Sequence, residues 1–131
     1  MNDPVMTIRQ MCETYQVTPR TLRFYEAKEL LSPIREGQKR LFTRRDRARL
    51  TLILRGKRFG FSLEEIRQLL DLYDADDKQE LQLSRACEIA KVHLADMERR
   101  QEELDAAITD LRAQLDWGAR KLEELRRTDA A

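Results

Sequence analysis

The chain has 131 residues, of which 37% are charged and 6% aromatic, a mix lean for one globule and suited to a small domain carrying a long exposed helix. Two cysteines and one histidine exclude a disulfide framework and a four-cysteine zinc site. No apolar run is long enough for a bilayer and no charged-then-apolar leader opens the chain, so the expected location is cytoplasmic, away from membranes. The net charge of +1 conceals an asymmetry: Met1 to Leu70 holds 15 Lys and Arg against 8 Asp and Glu, and Asp71 to Ala131 holds 10 against 16, giving +7 and −6. Only the first part has the sign a polyanion needs.

Ile8, Met11, Cys12 and Tyr15 recur at helical spacing, which predicts a helix over Met6 to Tyr15 with Thr7 able to cap it. Gln16 and Val17 make a short turn. Thr18 is a good N-cap and Pro19 stands at N1, where its missing N–H is harmless. The second helix is expected to reach about Lys28, with Leu22, Phe24 and Tyr25 on its buried side. Helix, short turn and capped helix make the pattern of a helix-turn-helix. "IREGQKRLF", Ile34 to Phe42, reads as two short extended arms about Glu36-Gly37, a small β-hairpin wing. Thr43 caps a third helix, with Asp46 at N3 as an acidic capping box; this helix carries Leu50, Ile53, Leu54 and Lys57, holds Gly56 in or near its end, and is broken by Gly60. Ser62 and Glu65 form the next box, ahead of Leu63, Ile66, Leu69 and Leu70. Asp74 to Lys78 is a polar joint.

Beyond the joint the spacing turns heptad. Cys87, Leu94, Gln101, Ile108, Leu115 and Leu122 fall on a positions, with Met97, Leu104 and Leu111 between them and Leu125 following. Such a stripe on a lone helix exposes too much apolar surface and needs a partner. The chain offers no second long helix, so the expected partner is the same helix of another copy. Leu94, Met97, Gln101, Leu104, Ile108, Leu111 and Leu115 are the expected dimerisation residues, Gln101 acting as a register device. Gly118 weakens the seam, so the coil is expected to end or bend near Trp117. The expected organisation is mainly all-α: a winged helix-turn-helix over 1–77, a coiled-coil dimerisation helix over 78–117 and a tail over 118–131.

Arg20 and Arg23 share one face in the first turns of the second helix. Cations at a helix start oppose its dipole at a cost of a few tenths of a kcal/mol. A DNA major groove compensates, because arginine forks suit guanine edges and phosphate oxygens; a plain solvated face is the alternative for this stretch alone. Arg35, Lys39 and Arg40 flank the predicted hairpin turn, where a wing can lie on phosphates, and Arg58 is a further phosphate candidate. A self-pairing rod gives two reading heads, which match a two-fold symmetric site on double-stranded DNA.

These residues resemble a known family. "TLRFYE", "LLSP.R", "KRLF" and "GFSLEEIRQLL", within Thr7 to Asp74, are similar to the winged-helix DNA-binding domain of MerR-type transcription regulators. The rod then sits where that family has its antiparallel dimerisation helix. "LILRGKRFGFSL" and "LDLYD" are similar to a branch that represses branched-chain amino-acid and fatty-acid breakdown genes. The resemblance implies base or phosphate contacts from Arg20, Thr21, Arg23, Phe24 and Tyr25. It implies phosphate contacts from Arg35, Lys39, Arg40 and Phe42, and a second wing around Lys57 to Phe61. Phe24 and Phe42 stand where the family usually has Tyr, so contact there is stacking or apolar. Glu29 stands where a glycine eases a left-handed helix end; keeping that backbone strains it by on the order of 1 kcal/mol.

The resemblance also implies a dimer that binds a promoter, bends and untwists it, and so acts on RNA polymerase indirectly, with a small-molecule effector, an acyl-CoA in the narrower branch, shifting the distortion. Cys87 and His93 are too few soft ligands for a tight closed metal site, so no metal and no cofactor are expected. Cys87 suits the seam and Cys12 the core. An adaptor with a basic head for RNA or an acidic partner is the competing reading. Catalysis is not expected, since no phosphate loop, ligand set or nucleophile–base pair accompanies His93.

Overall fold

A computed structural model of the chain describes residues 4–74 and 79–130. The elements are β1 (Met6–Thr7), α1 (Ile8–Tyr15), α2 (Pro19–Ala27), β2 (Ile34–Glu36), β3 (Lys39–Phe42), α3 (Arg44–Arg58), α4 (Leu63–Asp74) and α5 (Gln79–Ala130). Most of the predicted joint, residues 75–78, lies outside the described residues. Contacts divide the chain into a head, Met1–Ile89, and a second unit from Ala90 onward.

Local chemistry sets most of the head's boundaries. Thr7 caps α1 and Gln10 returns the bond, making a capping box. Thr18 Oγ1 accepts the Thr21 N–H at 3.1 Å, with Pro19 at the start of α2. Ser62 and Glu65 exchange bonds of 2.8 and 3.1 Å ahead of α4. At the end of α2, Leu30 N–H donates to Tyr25 C=O at 2.9 Å and Glu29 N–H to Glu26 C=O at 2.9 Å, the bond pair of a Schellman end. Glu29 occupies the left-handed position with φ 62°. Glu29→Gly is therefore expected to stabilise the head by about 0.5–1 kcal/mol, the strain relieved less the extra freedom glycine has when unfolded; urea unfolding reads it.

The wing is part of a three-stranded antiparallel sheet of order β1-β3-β2. The hairpin was expected; β1 was not. Met6 pairs with Phe42 and Thr7 with Leu41, while Arg35 faces Arg40 and Glu36 faces Lys39 across the hairpin. Gly37, at φ 63°, turns the chain between the arms, as a two-residue hairpin loop requires. The core collects Met11, Leu22, Tyr25, Leu30, Leu31, Phe42, Leu50, Ile53, Ile66 and Leu70 from every element around it. Gly56 lets α3 approach α4: a Cβ there would stand 2.9 Å from Ile66 Cγ1.

Asp46 is the one buried charged residue among the described residues, 1% exposed. Its Oδ1 accepts the Ser32 N–H at 3.0 Å, and its Oδ2 accepts both the Thr43 N–H and the Thr43 hydroxyl at 3.2 Å. One carboxylate thus caps α3 and ties down the Leu31-Ser32-Pro33 segment that follows α2.

The first turns of α5 pack on α4 within the head: Arg85 Nε donates to Gln68 Oε1 at 3.3 Å, and Ala86 and Ile89 line a cleft with Phe61 and Leu69. α5 is 52 residues long and passes through Gly118. One glycine costs about 1 kcal/mol in a helix interior. The Asp116–Arg120 pair at 3.1 Å spans the glycine and Glu123–Arg127 at 2.7 Å braces the turn after it, and strong helix formers continue to Arg127.

Candidate nucleic-acid interface

α2 turns Leu22 and Tyr25 into the core and Arg20, Arg23, Phe24 and Ala27 outward. Those four positions follow the spacing of one helical stripe. The expectation that Phe24 faces inward is corrected: it is 45% exposed, because a helix turning through about 100° per residue cannot bury Phe24, Tyr25 and Leu22 on one narrow face. Among the described residues neither Arg20 nor Arg23 has an acidic partner. Both lie near a helix N-terminus with their charge uncompensated, an unfavourable placement in isolation.

A cleft runs along each side of the stripe. On one side Arg23 shares a cleft with Lys39, Arg40, Gln38 and Glu36 of the wing. On the other, Arg20, Thr21 and Phe24 share one with Lys57 of α3 and Phe61. The exposed helix face is thus flanked by cations on both sides, from elements far apart in sequence.

Glu26 ties the wing to α2. It accepts from Arg40 Nε at 2.6 Å and from Arg35 Nη1 at 3.2 Å. Arg35 and Arg40 face each other across the hairpin, a repulsive arrangement that the shared carboxylate reverses. Burial alone would raise the Glu26 pKa, but the hydrogen bond and charge of Arg40, then those of Arg35, outweigh it and hold it below the usual 4.5. The folded value lies under the unfolded one, so this tether contributes above about pH 4.5 and is lost as pH falls through the folded value. Glu26→Gln is expected to flatten the fall of urea stability between about pH 5 and pH 3; an unchanged slope would show that another carboxylate dominates it.

Other arginines hold the scaffold. Arg49 Nε donates to Leu30 C=O at 2.8 Å, Arg67 Nη2 to Lys28 C=O at 2.6 Å and Arg47 Nη1 to Pro4 C=O at 3.0 Å. They cap carbonyls at the end of α2 and beside β1. Sequence reasoning missed these roles, since nothing local distinguishes them from Arg58, which is exposed at the end of α3.

Family models match most of the chain: one described as MerR HTH family regulatory protein over residues 6–73, and one described as MerR, DNA binding over residues 47–117. The chain belongs to the MerR family. HTH-type transcriptional regulator ZntR of Escherichia coli K12 is 35% identical over 101 residues, 76% of this chain and 70% of that protein. Among solved structures, HiNmlR, a MerR family regulator lacking the sensor domain and bound to promoter DNA, superposes with a TM-score of 0.57 at 28% identity, covering 75% of this chain and 79% of that one. A MerR family regulator from Bacillus cereus gives 0.58 at 33% identity, covering 77% and 75%. This MerR-family chain is a DNA-binding transcription regulator.

Within the MerR head, the expected contact residues differ in exposure. Phe42 is 0% and Tyr25 3% exposed; both rings fill the core, Phe42 because the last residue of β3 points inward. Arg20, Arg23, Phe24, Lys39 and Arg58 are exposed, and Thr21 is half-buried. Arg35 is exposed and Arg40 half-buried, both held by Glu26. In the second unit the seam lies open: Leu94, Met97, Gln101, Leu104, Ile108, Leu111 and Leu115 are all exposed. Cys12 is half-buried against the core, whereas Cys87 is exposed on α5. Among the described residues no group of three or more His, Cys, Asp or Glu is placed to hold a metal ion, and no helix is long and apolar enough to cross a membrane.

Proposed function

We propose that this regulator works as a homodimer joined through α5 as an antiparallel coiled coil, each head laying α2 in a major groove of a pseudo-palindromic promoter site. The observation that carries the reading is the outward stripe of α2, with Arg20 and Arg23 unpartnered among the described residues, flanked by clefts that bring Lys39 and Arg40 to one side and Lys57 to the other. Arg20 and Arg23 read base edges or inner phosphates; Lys39, Arg35, Arg40 and Arg58 hold the backbone. The exposed seam of α5 supports the pairing, since a stripe of that length is covered in a stable protein. Two linked heads on one duplex let the dimer bend and untwist it, at a cost of several kcal/mol recovered in contacts, and so alter how RNA polymerase meets the promoter. A small effector shifts that distortion; the narrower sequence resemblance supports an acyl-CoA.

The test is binding to labelled duplex from the gene's own upstream region as salt rises, with bulk duplex as competitor. Preferential binding with a steep salt slope is expected, and Arg23→Ala is expected to cost about 1–3 kcal/mol, roughly 5- to 150-fold. Equal affinity for any polyanion, with Arg23→Ala silent, would favour a basic-headed adaptor instead.

A further inference from the structure

Phe24 sits in the middle of a cationic stripe, with Arg20 one turn before it, Arg23 beside it and Ala27 one turn after. Nearly half of this large apolar ring faces outward, at 45% exposure. It is also held in place: the Tyr25 ring lies 5.6 Å away, and the Lys28 ammonium stands 5.7 Å from its centroid. A single exposed apolar side chain is ordinary on a protein surface; what sets Phe24 apart is its place between Arg20 and Arg23 on the outward stripe of α2, where whatever the arginines bind must also meet the ring. A phenyl ring neither donates nor accepts, so set against a phosphate it would only strip water from the charge. The major groove presents donors, acceptors and one apolar group, the C5 methyl of thymine. Resting on the reading of α2 as the groove-bound helix, we infer that Phe24 is a specificity-determining residue that packs on a thymine methyl, one in each half of the site.

The ring extends what the two arginines can read. Arginine forks select guanine edges or hold phosphates and leave A·T pairs undistinguished, whereas a thymine methyl tells T·A from A·T and from both G·C orientations. Arg20 and Arg23 position the helix; Phe24 adds an A·T requirement next to their contacts. Packing on sugar carbons is the alternative for an exposed ring, and it carries no sequence information.

The experiment selects duplexes from a random pool with the full chain. Each thymine of the selected duplex is then replaced by deoxyuridine, which removes only the methyl, and binding is measured for the unsubstituted protein, Phe24→Ala and Arg23→Ala. One thymine per half-site is expected to be sensitive: its replacement weakens the unsubstituted protein about fourfold, the effect of burying one methyl-sized group. Replacing both together costs about 15-fold. Phe24→Ala is expected to bind the thymine and deoxyuridine duplexes equally. Phe24 is exposed, so the variant keeps its core, and circular dichroism checks its helix content. If Arg23→Ala weakens binding while every deoxyuridine is neutral, or if the penalty persists in Phe24→Ala, the thymine contact is overturned and groove reading stands. If no sequence is enriched and Arg23→Ala is silent, groove reading falls and takes this inference with it.

Discussion

Leu104→Asp is expected to leave a folded head on a chain that sediments as a monomer and binds its site orders of magnitude more weakly. Leu104 lies near the middle of the seam and is 61% exposed within one chain, alongside Leu111 at 62% and Leu115 at 66%. Nothing in the second unit covers these side chains. Pairing two seams buries each Leu side chain, worth about 1.5–3 kcal/mol apiece. A carboxylate at the same place must be desolvated in both copies, at several kcal/mol per charge without a partner. The change lies outside the head and so leaves its core intact. The effect on DNA exceeds the loss of one contact, because two joined heads bind with an avidity roughly 10²- to 10⁴-fold above one. Sedimentation velocity and a duplex titration measure the two consequences. An intact Leu104→Asp dimer would place the interface elsewhere.

Asp46→Ala is expected to lower head stability by about 3–4 kcal/mol, a large part of the 5–15 kcal/mol typical of a domain. The side chain accepts three hydrogen bonds as a buried carboxylate, and bonds to a charged group are worth about 1.5–3 kcal/mol each. Removing it strands the Ser32 and Thr43 N–H groups and removes the N3 half of a capping box. Asp46→Asn, which keeps one acceptor oxygen and places a second donor where an acceptor is needed, should fall between. Urea unfolding at a single protein concentration, so that association is held constant, should show a lower midpoint with an unchanged slope. A midpoint within error of the unsubstituted protein would mean that the capping role is dispensable.

The parts of this structure with local causes were legible in the sequence. Thr7, Thr18, Thr43 and Ser62 each accept the bond their position predicted, because a capping box needs only residues three apart. The left-handed Glu29 was legible only through the family resemblance, which places a glycine there. What escaped is non-local. β1 is two residues long and exists because Met6 and Thr7 meet β3; such a pair has no periodicity to detect. Glu26 reaches Arg35 and Arg40 across 9 and 14 residues, and Arg67 reaches Lys28 across 39. The two phenylalanines show the difficulty: periodicity places Phe24 on the buried side of α2 while the family resemblance makes it a contact, and it is exposed; the resemblance makes Phe42 a contact, and its ring is buried. Aromatic identity alone does not tell which way a residue points; the phase of α2 and the pairing of β3 decide it. Gly118 does not break α5, since a propensity of about 1 kcal/mol is easily overridden by the helix around it.

Hydroxyl-radical footprinting of the full chain on a duplex selected from a random pool tests the shared grip of two heads most directly. Two equally protected patches, symmetric about one point and set about 34–36 Å or a multiple apart along the duplex, are the expected result. A single patch, or diffuse protection along the whole duplex, would contradict it.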